Sequence, residues 1–282
     1  MIPEPQKTYL LELLVALGPS ATDFVLAGAQ SMKFTLAESR ATRDFDFVLD
    51  VIHLREQDGH LKQILDSLDY QVVPESRNFQ FEKVIPNTNE VLRIEFMAPH
   101  EFKRKKDFRV EIDKGVHARE CFGGAVALQE SDPYELTGQL PDGQPASITL
   151  RVTRPTALVL LKLLALDDRY RNIRGASEAE HDRQEAQTHA ADVIAIMTAN
   201  LELDKFRQRF YKQMQGQTDV EIRIASILKA YFHTDSAPGM LLYEEALRRN
   251  TPIDSETRIQ LRNELNRAFR MIIKLLPADG QS

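Results

Sequence analysis

Residues 26–49, LAGAQSMKFTLAESRATRDFDFVL, decide the fold. The stretch opens on a small-residue turn, Gly28-Ala29, and closes on Asp44-Phe45-Asp46-Phe47-Val48-Leu49, where polar and apolar residues alternate before an apolar run. Alternation of period two marks a half-buried β-strand. Residues two apart on a strand share a face, so Asp44 and Asp46 project side by side while Phe45 and Phe47 enter a core. Carboxylates that close repel unless a cation lies between them.

Working outward, residues 6–17 read as a first helix ending at Gly18-Pro19, and 24–27 as a short apolar strand running into Gly28. Met32, Phe34 and Leu36 fit helix or strand equally. A helix is predicted over 61–68. Strands over 79–84 and 91–96 flank Pro86-Asn87-Thr88-Asn89 and form an antiparallel hairpin, with Arg93 and Glu95 on one face. Short glycine-punctuated segments follow, including 123–128 and Pro141-Asp142-Gly143, and read as further small strands; 148–152 is a last strand. Pro155 then opens a helix over 156–170, leucine-rich around Lys162. Beyond it strand signals vanish, and 186–199, 203–213, 220–232, 241–249 and 255–276 all carry helical apolar spacing. The polar segment 171–187, with Gly175, reads as a mobile linker or lid. The fold class expected is α+β, a mixed sheet with flanking helices over 1–153, followed by a C-terminal helical domain over 154–282.

Composition bounds the function. The chain has 282 residues, 43% hydrophobic and 28% charged, the balance of a soluble globular protein. A net charge of -6 argues against a general polyanion binder but leaves room for a local basic groove. The single cysteine, Cys121, cannot close an internal disulfide, which fits a reducing compartment. The apolar run 9–17 is interrupted by Glu12 and preceded only by Lys7, so it reads as a packed helix and not as a membrane or signal segment. The expectation is a cytoplasmic protein without a membrane span.

One constellation carries chemistry: the strand into Gly28-Ala29, then Arg40-x-Thr42-x-Asp44-x-Asp46, then a later strand carrying Glu95. Three carboxylates brought together are what hard, oxygen-seeking Mg²⁺ prefers, with Mn²⁺ as the alternative. Two such ions roughly 3.5–4 Å apart activate an attacking hydroxyl and stabilise the leaving oxygen of a phosphoryl displacement. Glycine at 28 lets backbone N–H groups approach phosphate oxygens closely. Lys33 and Arg40 are local cations for the phosphate charge, and Lys162 is a third.

Gly28-Ala29 followed by Arg40-Ala-Thr-Arg-Asp44-Phe-Asp46, with a third acidic strand residue, resembles the DNA polymerase β-like nucleotidyltransferase superfamily. Arg154-Pro155 leading to Lys162-Leu-Leu-Ala165, then Arg169, then His189-Ala-Ala-Asp192-Val193, is similar to the helical motifs of the AbiEii-like nucleotidyltransferases, a family that includes toxins of bacterial toxin-antitoxin and phage-defence systems. The resemblance spans about the first 200 residues. It implies that Asp44 and Asp46 are metal ligands and that Glu95 is the third carboxylate, with a second use as base. It also implies that Gly28 and Ala29 cradle phosphate, that Lys162 contacts the triphosphate and that Asp192 positions nearby basic groups. Two positions depart from the pattern: Ala29 lacks a hydroxyl that some members supply, and Thr188 stands where a basic residue often precedes His189.

The resemblance further implies an NTP substrate, ATP among the candidates, an RNA acceptor, in particular a tRNA 3' end, and an antitoxin partner. Competing readings stay open at this level. The acceptor is alternatively a small molecule or a protein side chain, and a catalytically inactive binding module on the same fold is the reading from another class. Glu95 is alternatively one half of a cross-strand salt bridge with Arg93 or a neighbour. Lys162 alternatively snorkels to solvent. Lys103-Arg104-Lys105-Lys106 and the C-terminal row Arg258, Arg262, Arg267, Arg270 and Lys274 are either RNA contacts or solvated faces. Cys121 has no matched His and Asp and reads as structural.

Overall fold

The computed structural model describes residues 2–36, 42, 44–56, 60–100, 109–172, 175–199, 202–250 and 254–273. The chain divides into two compact units, Met1–Arg154 and Pro155–Ser282. The first contains α1 (Gln6–Leu17), β1 (Phe24–Ala27), α2 (Gly28–Ser31), β2 (Asp44–Leu49), α3 (Val51–Glu56), α4 (Leu61–Ser67), β3 (Gln71–Val72) and β4 (Gln80–Val84). It continues with β5 (Val91–Pro99), β6 (Arg109–Asp113), β7 (Val116–Cys121), α5 (Gly124–Gln129), β8 (Ser131–Gln139) and β9 (Pro145–Thr153). The second unit contains α6 (Pro155–Arg171), α7 (Ala179–Ala199), α8 (Leu203–Lys212), α9 (Thr218–Phe232), α10 (Pro238–Asn250) and α11 (Ser255–Ile273). The fold is α+β, as the sequence predicts.

The sheet is mixed and runs β3-β4-β5-β2-β1-β9-β8, with β7 pairing both β5 and β6. β2 lies antiparallel to β1 and parallel to β5. The alternation in β2 separates two faces. Phe45 and Phe47 are fully buried, as are Ile94 and Phe96 on β5. Together with Leu10, Leu13 and Leu14 of α1 and Leu65 of α4 they form one hydrophobic core. Phe24 meets Phe47 and Phe96 edge to face at 5.9 and 5.8 Å, a geometry that suits the ring quadrupoles. Each such side chain contributes roughly 1.5–3 kcal/mol by leaving water, and truncating Phe47 to Ala would cost about 3–5 kcal/mol. Lys83 is buried beneath this layer, ion-paired to Glu12 at 2.6 Å and set over the Tyr9 ring at 4.7 Å, which ties β4 to α1.

Three expectations are corrected. Pro141-Asp142-Gly143, read as a small strand, is the turn that joins β8 to β9, with Gly143 at φ +84°. Residues 123–128, read as a small strand, form α5. Gly123 takes φ +85° as the residue preceding the helix, and Val126 and Ala127 are buried on one side. Glycine at 124 lets the turn lie against β5, since a Cβ there would stand 3.0 Å from Pro99 Cα. Of the segment 171–187, read as a linker or lid, residues 179–187 belong to α7, which begins at Ala179. Glu180, His181, Arg183 and Gln184 are exposed, and Glu180 and Asp182 stand in the first turn, where the helix dipole favours negative charge. Asp182 is itself fully buried and lies 3.4 Å from Arg169 of α6.

The second unit is built around α6. Leu158, Leu160, Leu163 and Leu166 are buried on all sides of the helix because α7, α8 and α9 all pack against it. Among the described residues no helix is long and apolar enough to cross a membrane.

Candidate active site

β2 and its neighbours form a small lattice on the face opposite the aromatic core. Asp44 stands beside Arg93 of β5, and Asp46 stands between Ala27 of β1 and Glu95 of β5. On the far side of β5, Gln80 of β4 is paired with Glu95, and Glu82 with Arg93. Parallel pairing of β5 with β7 sets Arg119 beside Met97, one step along the same face from Glu95. The register therefore gathers two aspartates, Glu95, Gln80 and Arg119 onto one surface.

Asp44 is exposed and Asp46 half-buried. Directly after β1 the chain turns at Gly28 with φ +62°, and a Cβ there would lie 1.7 Å from Asp46 Oδ2. Only glycine satisfies both requirements, a left-handed backbone and a carboxylate resting on the turn. The Ser31 hydroxyl donates to the Gly28 carbonyl at 2.8 Å and steadies that turn. Ala29 is buried on α2, and Lys33 lies half-buried in the 3-10 turn that follows.

The entry to β2 is held from below. Gln30 is fully buried, and its amide donates to Gln6 Oε1 at 3.1 Å and to the Thr42 carbonyl at 2.9 Å. The Asp44 N–H in turn donates to Thr42 Oγ1 at 3.3 Å. This chain of contacts fixes the backbone that delivers both aspartates, and a glutamine in a small-residue turn gives no sequence signal for it. Arg40 and the run 103–106 lie outside the described residues.

Glu95 is engaged. Its Oε1 lies 3.0 Å from Arg119 Nη2, and its Oε2 accepts a hydrogen bond from Gln80 Nε2 at 2.6 Å. The cation on Glu95 is thus Arg119; Arg93 pairs with Glu82 at 3.1 Å. Neither Gln80 nor Arg119 figures in the sequence motifs. Gln80 could have been found by extending the hairpin register, in which it falls opposite Glu95. Arg119 depends on a parallel strand pairing that local pattern does not encode.

For a divalent cation, the donor chemistry of Asp44 and Asp46 fits. Both offer hard oxygens on one face, and the Asp46 carboxylate sits on a turn with no side chain to intervene. Among the described residues no group of three His, Cys, Asp or Glu side chains is assembled to hold a metal ion, and Glu95 is engaged by Arg119 and Gln80. Cys121, on the same strand as Arg119, has its thiol pushed up to about 11, first by burial, with Glu95 and Asp46 adding to the shift against an opposing effect of Arg119. It is a protonated thiol at neutral pH.

In the second unit α6 and α7 bring Lys162 and Asp192 together. Nζ lies 2.7 Å from Oδ2, and the side chains are 6% and 4% exposed, so Lys162 does not snorkel to solvent. His189 lies half-buried one turn before Asp192. The same unit holds a further buried carboxylate, Asp167, contacted by Arg171 at 2.6 Å, Tyr231 at 3.0 Å and Arg223 at 3.6 Å, beside a cavity of about 420 Å³.

The family described as "Nucleotidyl transferase AbiEii toxin, Type IV TA system" matches residues 10–278, and the chain belongs to that family. It is therefore a nucleotidyltransferase of a toxin-antitoxin class. Among solved structures the chain is similar to that titled "Crystal structure of JHP933 from Helicobacter pylori", at 13% identity and a TM-score of 0.35, over 98% of this chain and 95% of that one. A search of curated proteins returned no match.

Proposed function

We propose that the chain transfers a nucleoside monophosphate from an NTP to a hydroxyl of RNA, in particular a tRNA 3' end, with Asp44 and Asp46 holding Mg²⁺ and Glu95 as the third carboxylate. The observation that carries this reading is the Asp46 carboxylate resting on Gly28, with Asp44 on the same face and Glu95 in register. In the reaction an acceptor oxygen bonds to the α-phosphorus, the bond between that phosphorus and the α–β bridging oxygen breaks, and pyrophosphate leaves. The acceptor's proton passes to a carboxylate of this face. Mg²⁺ held there supplies charge stabilisation for the attacking and leaving oxygens.

The chain's own residues orient the reactants. The Gly28 turn brings backbone close to the phosphates, Gln30 fixes the approach to β2, and Lys33 supplies local positive charge, a role the sequence also gives Arg40. For Lys162 the family resemblance implies a triphosphate contact, and Asp192 holds its ammonium at 2.7 Å within the second unit. Growth inhibition relieved by an antitoxin is the biological setting that the family supports.

A second reading, with a small hydroxylated molecule or a protein side chain as acceptor, is favoured by the net charge of -6, which weakens attraction to a polyanion. One experiment separates them: purified protein, native and Asp44→Asn/Asp46→Asn, with Mg²⁺, total tRNA and each radiolabelled NTP in turn. Label on RNA from the native protein alone supports the RNA reading. Magnesium-dependent NTP binding without labelled RNA overturns it and passes the acceptor to the second reading.

A further inference from the structure

Of all the groups on the open face, Arg119 is the one that the proposed reaction leaves unexplained. Its guanidinium stands 3.0 Å from Glu95 Oε1, on the carboxylate that lies beside Asp46 in the sheet register. That oxygen is buried and accepts no aligned hydrogen bond, whereas Oε2 takes a short one from Gln80. The contact is an ion pair held by charge and not by directional bonding. Arg119 is 43% exposed against 14% for Glu95, so the arginine is the solvated, movable partner and the carboxylate the fixed one. The guanidinium carbon also lies 5.8 Å from the Phe79 ring centroid, a second attraction on the same side of the sheet.

We infer that Arg119 is a positioning residue that competes with a divalent cation for Glu95. The inference rests on the reading of Asp44 and Asp46 as metal ligands and deepens it. While Arg119 occupies Oε1, Glu95 is withheld from the metal. When a divalent cation takes Glu95, the guanidinium swings toward Phe79 and remains on the face where phosphate oxygens arrive. Filling the carboxylate site and freeing a phosphate-binding cation are then one event. Gln80 keeps the carboxylate in place throughout, since it grips the other oxygen.

The test is Mn²⁺ affinity, followed by the electron paramagnetic resonance signal of free Mn²⁺, on the full chain without nucleotide. Competition predicts that Arg119→Ala binds Mn²⁺ tighter, by roughly three- to tenfold for an ion pair of this exposure. Arg119→Lys, which keeps the charge, should return to near the native value. In an Arg119→Ala/Glu95→Gln protein the gain should vanish, leaving the affinity of Glu95→Gln alone. Gln80→Leu is the second variant, leaving Arg119 in place, and should weaken Mn²⁺ binding by freeing the carboxylate to follow the guanidinium. Unchanged or weaker binding in Arg119→Ala overturns the inference, and so does a gain that persists without Glu95, which would be general charge removal. In both cases Mn²⁺ binding that still needs Asp44 and Asp46 leaves the underlying reading standing. Absence of Mn²⁺ binding in native and Arg119→Ala protein alike, even with an NTP present, overturns that reading and the competition with it.

Discussion

The two units solve the same electrostatic problem in opposite ways. On the open face of the sheet, Glu95 meets Arg119 with one partner nearly half exposed, close to two aspartates that carry no core. On α6 and α7, Lys162 meets Asp192 with both partners almost sealed from solvent. An exposed pair contributes little to stability and exchanges partners readily. A buried pair is costly to form and costlier to halve, because removing one member leaves a charge in a low-dielectric interior. The pair on the sheet face is thus exchangeable at small structural cost, and the helical pair is built into the fold itself.

The largest effect expected from this contrast falls on the sheet face. Asp44→Asn/Asp46→Asn should abolish nucleotidyl transfer, a loss of roughly 10³-fold or more if these oxygens carry the transition-state charge. Its thermal midpoint should stay within a few degrees of native, because neither side chain is packed in the core. A large drop in midpoint would show that the aspartates hold the sheet together and would erase the contrast.

The helical pair should behave in reverse. Asp192→Ala is expected to cost about 3–5 kcal/mol in urea unfolding, whereas Lys162→Met/Asp192→Leu should regain most of that stability and still fail to transfer nucleotide. Destabilisation below about 1 kcal/mol would place this pair with the exchangeable one. Gly28→Ala comes next. A methyl group 1.7 Å from Asp46 Oδ2, on a backbone at φ +62°, should cost about 1–3 kcal/mol and displace the carboxylate, so both stability and Mn²⁺ affinity should fall.

How much of this was legible follows from which forces are local. The strand around Asp44 and Asp46 could be read because burial of Phe45 and Phe47 imposes a period of two. The first helix, the hairpin and the proline that opens α6 could be read from spacing and turn chemistry. Residues 123–128 could not, because four small apolar residues carry no period, and what decides the helix is the left-handed Gly123 and the close approach of Gly124 to β5. Residues 179–187 were misleading for a related reason: their polarity marks the wet face of the start of α7 and not a linker. At the site, the aspartates and the glycine were visible in one short stretch. Arg119 was not, because it reaches Glu95 through a parallel pairing of β5 and β7 whose partners lie more than twenty residues apart.

The smallest effect concerns a surface pair in the first unit. His53 Nδ1 lies 2.6 Å from Asp23 Oδ1, with the imidazole half exposed and the carboxylate buried. The hydrogen bond to Asp23 is the main cause that raises the His53 pKa, supported by the charges of Asp23, Asp50 and Glu56 and opposed by desolvation. A histidine whose folded value lies above its unfolded value binds its proton more tightly when folded. Its stabilising contribution is therefore complete below the unfolded value, about 6.5, and is lost as the pH rises through the folded value. Native protein should lose a little thermal stability across that window and His53→Gln should not, with both curves parallel on either side. The effect stays small because solvent screens the imidazolium, and because Asp23 retains a hydrogen bond from the neutral ring when its Nδ1 bears the proton. A slope as steep as that expected from halving a buried pair would mean that exposure does not separate the exchangeable contacts of this chain from the structural ones.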